Sequence, residues 1–207
     1  MAGADSVVQI DEGTGKYLHY VQRSIASNTT YTQAVAISEP YLPTGTVAVT
    51  TAVSLATANS HPFQIMAGPL NRVLLRRLKV TLLAGGTTAG QQAVFQLLRL
   101  TTAGTGGTSY TPRNADPADA ALAATAMTLP SSKGTEGNIL WTETGLVAVA
   151  SNSAQGPVID IDFTRDLRSR PFTIAAGTGN GLALKNITAV AGATVHISTE
   201  HDEVFWS

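Results

Sequence analysis

From about residue 46 to the end of the chain, short runs of β-branched and apolar residues recur, and a glycine or proline lies in most of the gaps between them. Such runs fit a pleated, half-buried surface, and the breaks are typical of turns. No helical periodicity alternates with the runs to cover a parallel sheet. The spacing therefore predicts an all-β fold, an antiparallel β-sandwich, with the jelly roll as one form of it.

The pattern predicts ten strands and one turn of particular interest. The strands lie at residues 46–57, 62–67, 72–83, 93–102, 139–142, 146–150, 158–163, 171–175, 182–189 and 194–200. The glycine-rich segment 85–90 is expected to join the third and fourth strands as an antiparallel hairpin. A single short helix is expected after Asp116, which would serve as its N-cap, with Pro117 in the first turn and an alanine-rich stretch behind it.

Residues 1–45 differ from the remainder, residues 46–207, which we assign to the sandwich domain. The N-terminal stretch lacks sustained periodicity and carries isolated Tyr17, Tyr20 and Tyr31. Pro40 and Pro43 interrupt its end, and proline disfavours a central strand. We expect an extended arm that lies on its own domain or crosses to a neighbour.

Alternation along three strands indicates which faces are buried. Ile159, Ile161 and Phe163 are expected to face the core, as are the odd-numbered residues of 195–199, while the acids and the histidine between them face water. The strand 93–102 differs, because Val94, Leu98 and Leu100 occupy one face and Phe95 and Leu97 the other. Both of its faces need cover, and the second cover is expected from another subunit or from the arm.

Composition favours assembly. Charged residues make up only 13% of the chain, about half the usual share, and alanine, threonine, glycine and serine replace them. Interfaces are depleted of charge at their centres, so we expect an oligomer. The net charge of −1 gives no footprint for nucleic acid. No apolar run reaches membrane-spanning length and the N-terminus lacks a signal-peptide pattern, so neither a membrane nor export is expected.

For each motif that could carry chemistry, the sequence supports a structural interpretation better than a catalytic or metal-binding one. The sequence lacks cysteine, a G-x-S-x-G nucleophile motif and an HExxH motif. Residues 177–181 (GTGNG) are interpreted as a turn rather than a phosphate loop, since a strand pattern follows them. Asp160, Asp162 and Asp166, with the acids at 200, 202 and 203, match no calcium-loop spacing. We therefore assign no catalytic residue, no metal ligand and no cofactor, and expect a protein that is not an enzyme.

A carbohydrate-binding module remains a weaker alternative. It needs an exposed aromatic platform beside carboxylates. The best candidates for such a platform are Tyr110, Trp141 and Asp116.

Two local features point instead to protein partners. The doublet Arg76-Arg77 lies within a predicted strand, where successive side chains take opposite faces, and pairing with Asp160 or Asp162 across strands or subunits is expected. The chain ends in Phe205-Trp206-Ser207, and an exposed aromatic pair is costly in water. We expect this tail to dock on its own domain or on a neighbour.

The segment 69–130 runs from PLNRVLLRRLKVTL through a glycine-rich tip to AVFQLLRLTTAGTGGTSYTPRNADPADAALAATA. It resembles a group of tailed-bacteriophage virion structural proteins, in which an arginine-containing strand precedes a strand ending in a Gly-Gly-Thr-x-x-Thr-Pro turn and an Asp/Ala-rich stretch. The resemblance covers about a third of the chain. The matching residues are Arg76, Arg77, Arg99, Gly106, Gly107, Thr108, Thr111, Pro112, Asp116 and Ala118.

The resemblance implies a β-sandwich or jelly-roll subunit of the virion, made in the host cytoplasm and forming a homotrimer. Capsid decoration (cement) proteins are the nearest class, with the major capsid protein or other virion proteins as partners. A tail, collar, baseplate or fibre-base subunit is the alternative. The residues expected at intersubunit contacts are Tyr17, Tyr20, Tyr31, Arg76, Arg77, Phe95, Leu97, Phe205 and Trp206.

Overall fold

The structure, a computed structural model, describes residues 19–25, 28–34, 43–87, 91–146, 157–163 and 171–205. The chain divides into two compact units, Met1–Tyr41 and Leu42–Ser207. In the first unit, β1 (His19–Ile25) and β2 (Asn28–Ala34) form an antiparallel hairpin with every residue of one strand paired to the other. The stretch in which the sequence showed no sustained periodicity thus contains two regular strands.

The second unit is built from antiparallel strands in two sheets, which confirms the predicted all-β sandwich. Its strands are β3 (Thr44–Ala48), β4 (Val53–Ser54), β5 (Ser60–Met66), β6 (Asn71–Ala84), β7 (Gln92–Leu100), β8 (Thr108–Tyr110), β9 (Arg113–Asn114), β10 (Thr125–Thr128), β11 (Glu136–Leu146), β12 (Pro157–Asp162), β13 (Phe172–Ile174), β14 (Gly181–Asn186) and β15 (Thr194–Phe205).

The strand order places neighbours in space that are distant in sequence. One sheet has the order β11-β7-β14-β5-β10-β8. The other has the order β12-β6-β15-β3-β9, with β13 also pairing with β6 and β4 also pairing with β15. A jelly roll is an eight-stranded arrangement of two Greek keys, and that finer assignment stays a prediction.

The core lies between the sheets and is filled by the alternating side chains of both. The predicted inward residues of the last strand, Val195, Ile197 and Thr199, are no more than 2% exposed. Phe163 is fully buried, and its ring centroid lies 4.8 Å from that of Phe172. Tilted aromatic pairs at this separation add to the burial of their apolar area.

The predicted hairpin between the strands at 72–83 and 93–102 is wrong. Strands β6 and β7 lie in different sheets, so they do not form a hairpin. Just after β6, the Thr87 N–H donates a hydrogen bond of 2.9 Å to the Ala191 carbonyl. Glycine-rich sequence signals a change of direction, but it does not say in which sheet the next strand pairs.

The predicted helix after Asp116 is also wrong. Residues 115–119 form a turn, in which the Asp116 carboxylate accepts from the Ala118 N–H at 2.9 Å. The Asn114 side chain donates to the carbonyls of Asp119 and Ala120 at 2.9 Å each. The side chains of Asp and Asn compete with helix formation in this way, because they satisfy backbone groups locally.

The predicted strand 46–57 is broken in two. Strands β3 and β4 both pair with β15 but are separated by a bend around residue 51. The sandwich unit begins at Leu42, four residues before the expected boundary.

Candidate assembly surface

The arginine doublet lies at a β-bulge. Glu200 of β15 pairs with Arg77, whereas the next residue, His201, pairs with Leu75, so Arg76 is the extra residue on β6. Leu75 and Leu78 are both buried, and Arg76 and Arg77 lie between them with 46% and 41% of their side chains exposed. The expectation that the two guanidinium groups take opposite faces is wrong, because a bulge resets the alternation by one residue.

The outer face of the seven-stranded sheet carries charges of opposite sign on neighbouring strands. Arg77 donates to both carboxylate oxygens of Asp160 at 2.8 Å, which bears out the expected pairing within the chain. A second carboxylate, that of Glu200, lies 3.8 Å from the same guanidinium. This pairing raises the pKa of Arg77, chiefly through the hydrogen bond to Asp160. Register also sets Lys79 opposite Asp160.

Next to the charged strands, β3 and the two residues that follow it present small uncharged side chains. Thr46, Ala48 and Thr50 are exposed on this part of the face, and Ser198 of β15 is exposed beside Ala48. The described face is therefore divided into a charged part, where Arg77 pairs with Asp160, and a neighbouring strip of small uncharged side chains at Thr46, Ala48 and Thr50.

Two buried acids at the end of β15 hold neighbouring elements in place. The Asp202 carboxylate accepts from Thr44 Oγ1 at 3.0 Å and from Arg76 Nε. The Glu203 carboxylate accepts from Asn71 Nδ2 at 2.7 Å and from the N–H groups of Ala123 and Ala124 at 2.9 and 2.8 Å. Each acid is fully buried, and a buried carboxylate is tolerated when its oxygens are satisfied in this way.

His201, between these acids and Glu200, is also fully buried, and neither ring nitrogen has a hydrogen-bond partner. A Cβ atom on Gly45 would lie 2.8 Å from His201 Nε2 and 2.4 Å from a methyl carbon of Leu122. Burial lowers the pKa of His201, because the nearby carboxylates of Glu203 and Asp202 offset only part of the cost of desolvating the charged ring. The glycine at 45 makes room for the ring.

A second polar cluster surrounds Glu136 at the start of β11. Its Oε1 lies 3.0 Å from His61 Nε2 and 3.2 Å from Lys133 Nζ, and its Oε2 accepts from Lys185 Nζ at 2.6 Å. These donors outweigh the effect of burial and lower the pKa of Glu136 to about 2. Burial lowers the pKa of His61. The cluster joins β5, β11 and β14.

Phe95 and Leu97, expected at a subunit contact, lie in the core between the two sheets, 0% and 3% exposed. Leu98 and Leu100 belong to a second buried cluster with Met66 and Ala183. Both faces of β7 are therefore covered within the single chain, and the expected second cover from another subunit is not needed there. Gln64, on the same strand as Met66, is buried and exchanges hydrogen bonds with the Gly104 backbone at 3.3 and 3.2 Å.

The remaining expected contact residues fall in or near undescribed parts of the chain. Tyr20 and Tyr31 lie in the β1–β2 hairpin, opposite Gln33 and Gln22 respectively. Phe205 closes β15 opposite Asn71. Tyr17 and Trp206 lie outside the described residues.

The residues nominated for a sugar platform are not brought together. Tyr110 lies on β8 and Trp141 on β11, the two opposite edges of the six-stranded sheet. Trp141 is partly buried against the core. Asp116 is in the turn after β9.

A groove of about 320 Å³ runs between β3 and the segment that contains β8 and β9. Hydroxyl groups dominate its walls, with one guanidinium at its end; the lining residues are Thr46, Ala48, Thr50, Ser109, Tyr110, Thr111 and Arg113. A hydrogen bond between the hydroxyls of Thr51 and Tyr110 links the two walls.

Within the described residues, no group of His, Asp and Glu side chains is placed to hold a metal ion. None of the helices searched in the same part of the chain is long and apolar enough to cross a bilayer. The GTGNG segment forms a turn between β13 and β14, closed by the Asn180 N–H donating to the Gly177 carbonyl at 2.9 Å, and a strand follows it.

Comparisons of the chain with models of protein families, with curated proteins and with solved structures gave no match.

Proposed function

We propose that this protein is a structural subunit of a bacteriophage particle, a capsid decoration protein that stabilises the head by packing β surfaces between copies of itself and against the major capsid protein. The observation that carries the proposal is the divided outer face of the seven-stranded sheet. On this face Arg77 is paired with Asp160 of the same chain, while Thr46, Ala48 and Thr50 beside it expose small uncharged side chains.

Such a surface suits association because removing water from it costs little free energy. Burying an unpaired charge on association costs free energy. Charges at the rim that are already paired within their own chain add little to that cost. Threonine and alanine side chains lose little conformational entropy when they are ordered at an interface. The assignment to a phage particle is inferred from the resemblance of segment 69–130 to tailed-phage virion proteins. The homotrimer is inferred from the same resemblance.

Binding to capsids tests the proposal. Purified full-length chain is added to capsids that lack decoration, and bound protein is measured after sedimentation. The proposal expects saturable binding and capsids that resist heat or low salt better than undecorated ones. Absence of binding, together with a stable monomer in solution, would sink it.

The alternative position on a tail, collar, baseplate or fibre base uses the same surface on a different partner. Tailless heads distinguish the two positions. A decoration protein is retained on tailless heads at full occupancy, whereas a tail or collar subunit is lost with the tail.

A further inference from the structure

The groove between β3 and the β8–β9 segment lies at two sheet edges that are unpaired within the described residues. Among the residues that the structure describes, β9 pairs only with Gly45 and Thr46 of β3, and β8 pairs only with β10. Pro112, between β8 and β9, has no N–H to offer to β3. No described strand therefore lies beside the second half of β3 on this side.

Backbone hydrogen-bonding groups of β3 face the groove. The Val49 N–H donates to the Ile197 carbonyl at 2.9 Å, so this N–H points toward β15. Because backbone groups alternate in direction along an antiparallel strand, the N–H and carbonyl of Ala48, the last residue of β3, point the other way, toward the groove. An extended segment lying in the groove could pair with them by β-augmentation.

We propose that the occupant of this groove is the outer edge of β2 from the N-terminal hairpin of a second copy of the chain. This inference rests on the proposed function, since it names the contact by which copies would associate. The hairpin is a separate two-stranded sheet, and a two-stranded hairpin is at best marginally stable in water without further strands or packing. A third strand at its edge supplies that stability.

Charge selects β2 rather than β1. The sequence of β2, NTTYTQA, has no charged residue and matches the hydroxyl-rich walls of the groove. In contrast, β1 contains Arg23 and His19, and the groove already holds Arg113, so a guanidinium from β1 would meet a like charge. The contact is head-to-tail, and contacts of this type close into rings such as trimers when the rotation permits.

The chain contains no cysteine, so disulfide trapping can be done without background. Ala48→Cys supplies the groove position. Thr29→Cys, Thr30→Cys, Tyr31→Cys and Thr32→Cys, made one at a time, sample successive positions of β2. Each β2 variant is mixed with Ala48→Cys in the full-length chain and oxidised, and the products are separated without reductant. The matched control is Thr142→Cys, an exposed threonine on β11 at the far edge of the six-stranded sheet.

We expect at least one β2 position to give a reducible dimer with Ala48→Cys, at a yield at least fivefold above the Thr142→Cys control. A chain that carries both cysteines is the second arm. If it forms only a disulfide within one chain at all concentrations, and the mixtures give no dimer, the groove is filled by the chain's own hairpin and the inference is wrong. If no pair cross-links although light scattering shows an oligomer, this contact is excluded while the proposed function stands. If the protein is monomeric as well, both fail.

Discussion

Buried polar residues at the end of β15 hold neighbouring segments of the sandwich in place through hydrogen bonds. From the sequence, Glu203 is considered only as one of several acids that match no calcium-loop spacing, and its structural role is not predicted. The signal was present, however, because three successive polar residues at 201–203 cannot all face water on a strand that alternates. The structure buries all three. Which donors satisfy them depends on segments over 70 residues away, such as 123–124, and no local pattern encodes that.

The Glu203 carboxylate should be a large contributor to stability. Glu203→Gln replaces one of the two acceptor oxygens with an N–H₂ group, which then faces one or two N–H donors, and we expect it to lower the free energy of unfolding by about 3 kcal/mol, measured by urea denaturation. The matched control is Glu200→Gln on the same strand, 52% exposed, where a change within about 0.5 kcal/mol is expected. Equal effects at the two positions would show that the buried contacts of Glu203 do not stabilise the fold.

Stability should fall with acid. Burial lowers the pKa of His61 and of His201 below the usual 6.5, so the folded state resists protons that the unfolded chain accepts. The stabilisation is complete above about pH 6.5 and declines below it, by at most about 1.4 kcal/mol per pH unit for each ring. Glu136, whose pKa is lowered from 4.5 to about 2, contributes stability above pH 4.5 that is lost toward pH 2.

Urea midpoints at pH 7.5 and pH 5 measure this dependence. His201→Leu should reduce the difference between the two midpoints, because it removes one ring that the unfolded chain protonates. Ser198→Ala, at an exposed position of the same strand, removes no titrating group and should leave the difference unchanged. A pH difference unaffected by His201→Leu would contradict the assignment of acid sensitivity to this ring.

At the scale of elements, the sequence predicts strands well and their partners poorly. Alternation located β5, β6, β7 and β12 to within a few residues, since each has a buried and a wet face or an apolar run. It failed where alternation is reset. On β6 the buried residues step by two from Val73 to Leu75, by three to Leu78 and by two to Val80, and that three-residue step is the mark of the bulge at Arg76. The assignment of β6 and β7 to different sheets has no comparable local mark.

The contact between β11 and β12 depends on a glycine. A Cβ atom on Gly145 would lie 2.0 Å from Val158 Cγ1, so Gly145→Ala should cost about 1 to 3 kcal/mol in the free energy of unfolding. Gly137→Ala on the same strand is the control, because its nearest neighbour would be Arg99 Cβ at 3.2 Å. The two variants are compared by thermal or urea unfolding. A neutral Gly145→Ala would mean that β12 can move away from β11 freely.

For the whole molecule, the sandwich follows from the sequence pattern, but the site of assembly does not. The expectation that Phe95 and Leu97 contact another subunit came from the apolar residues on both faces of β7, and the structure covers both faces within the chain. The uncharged strip and the groove along β3 are better candidates for a subunit contact than Phe95 and Leu97, since their side chains and backbone groups are accessible. They depend on where two sheet edges meet, which only the fold defines.

The central claim is that this chain works by associating with copies of itself. Size-exclusion chromatography with light scattering on the full-length protein tests it most directly. The proposal predicts a particle of three times the 21.4 kDa of one chain, stable on dilution to micromolar concentration. A mass of 21.4 kDa at every concentration up to the limit of solubility would contradict it.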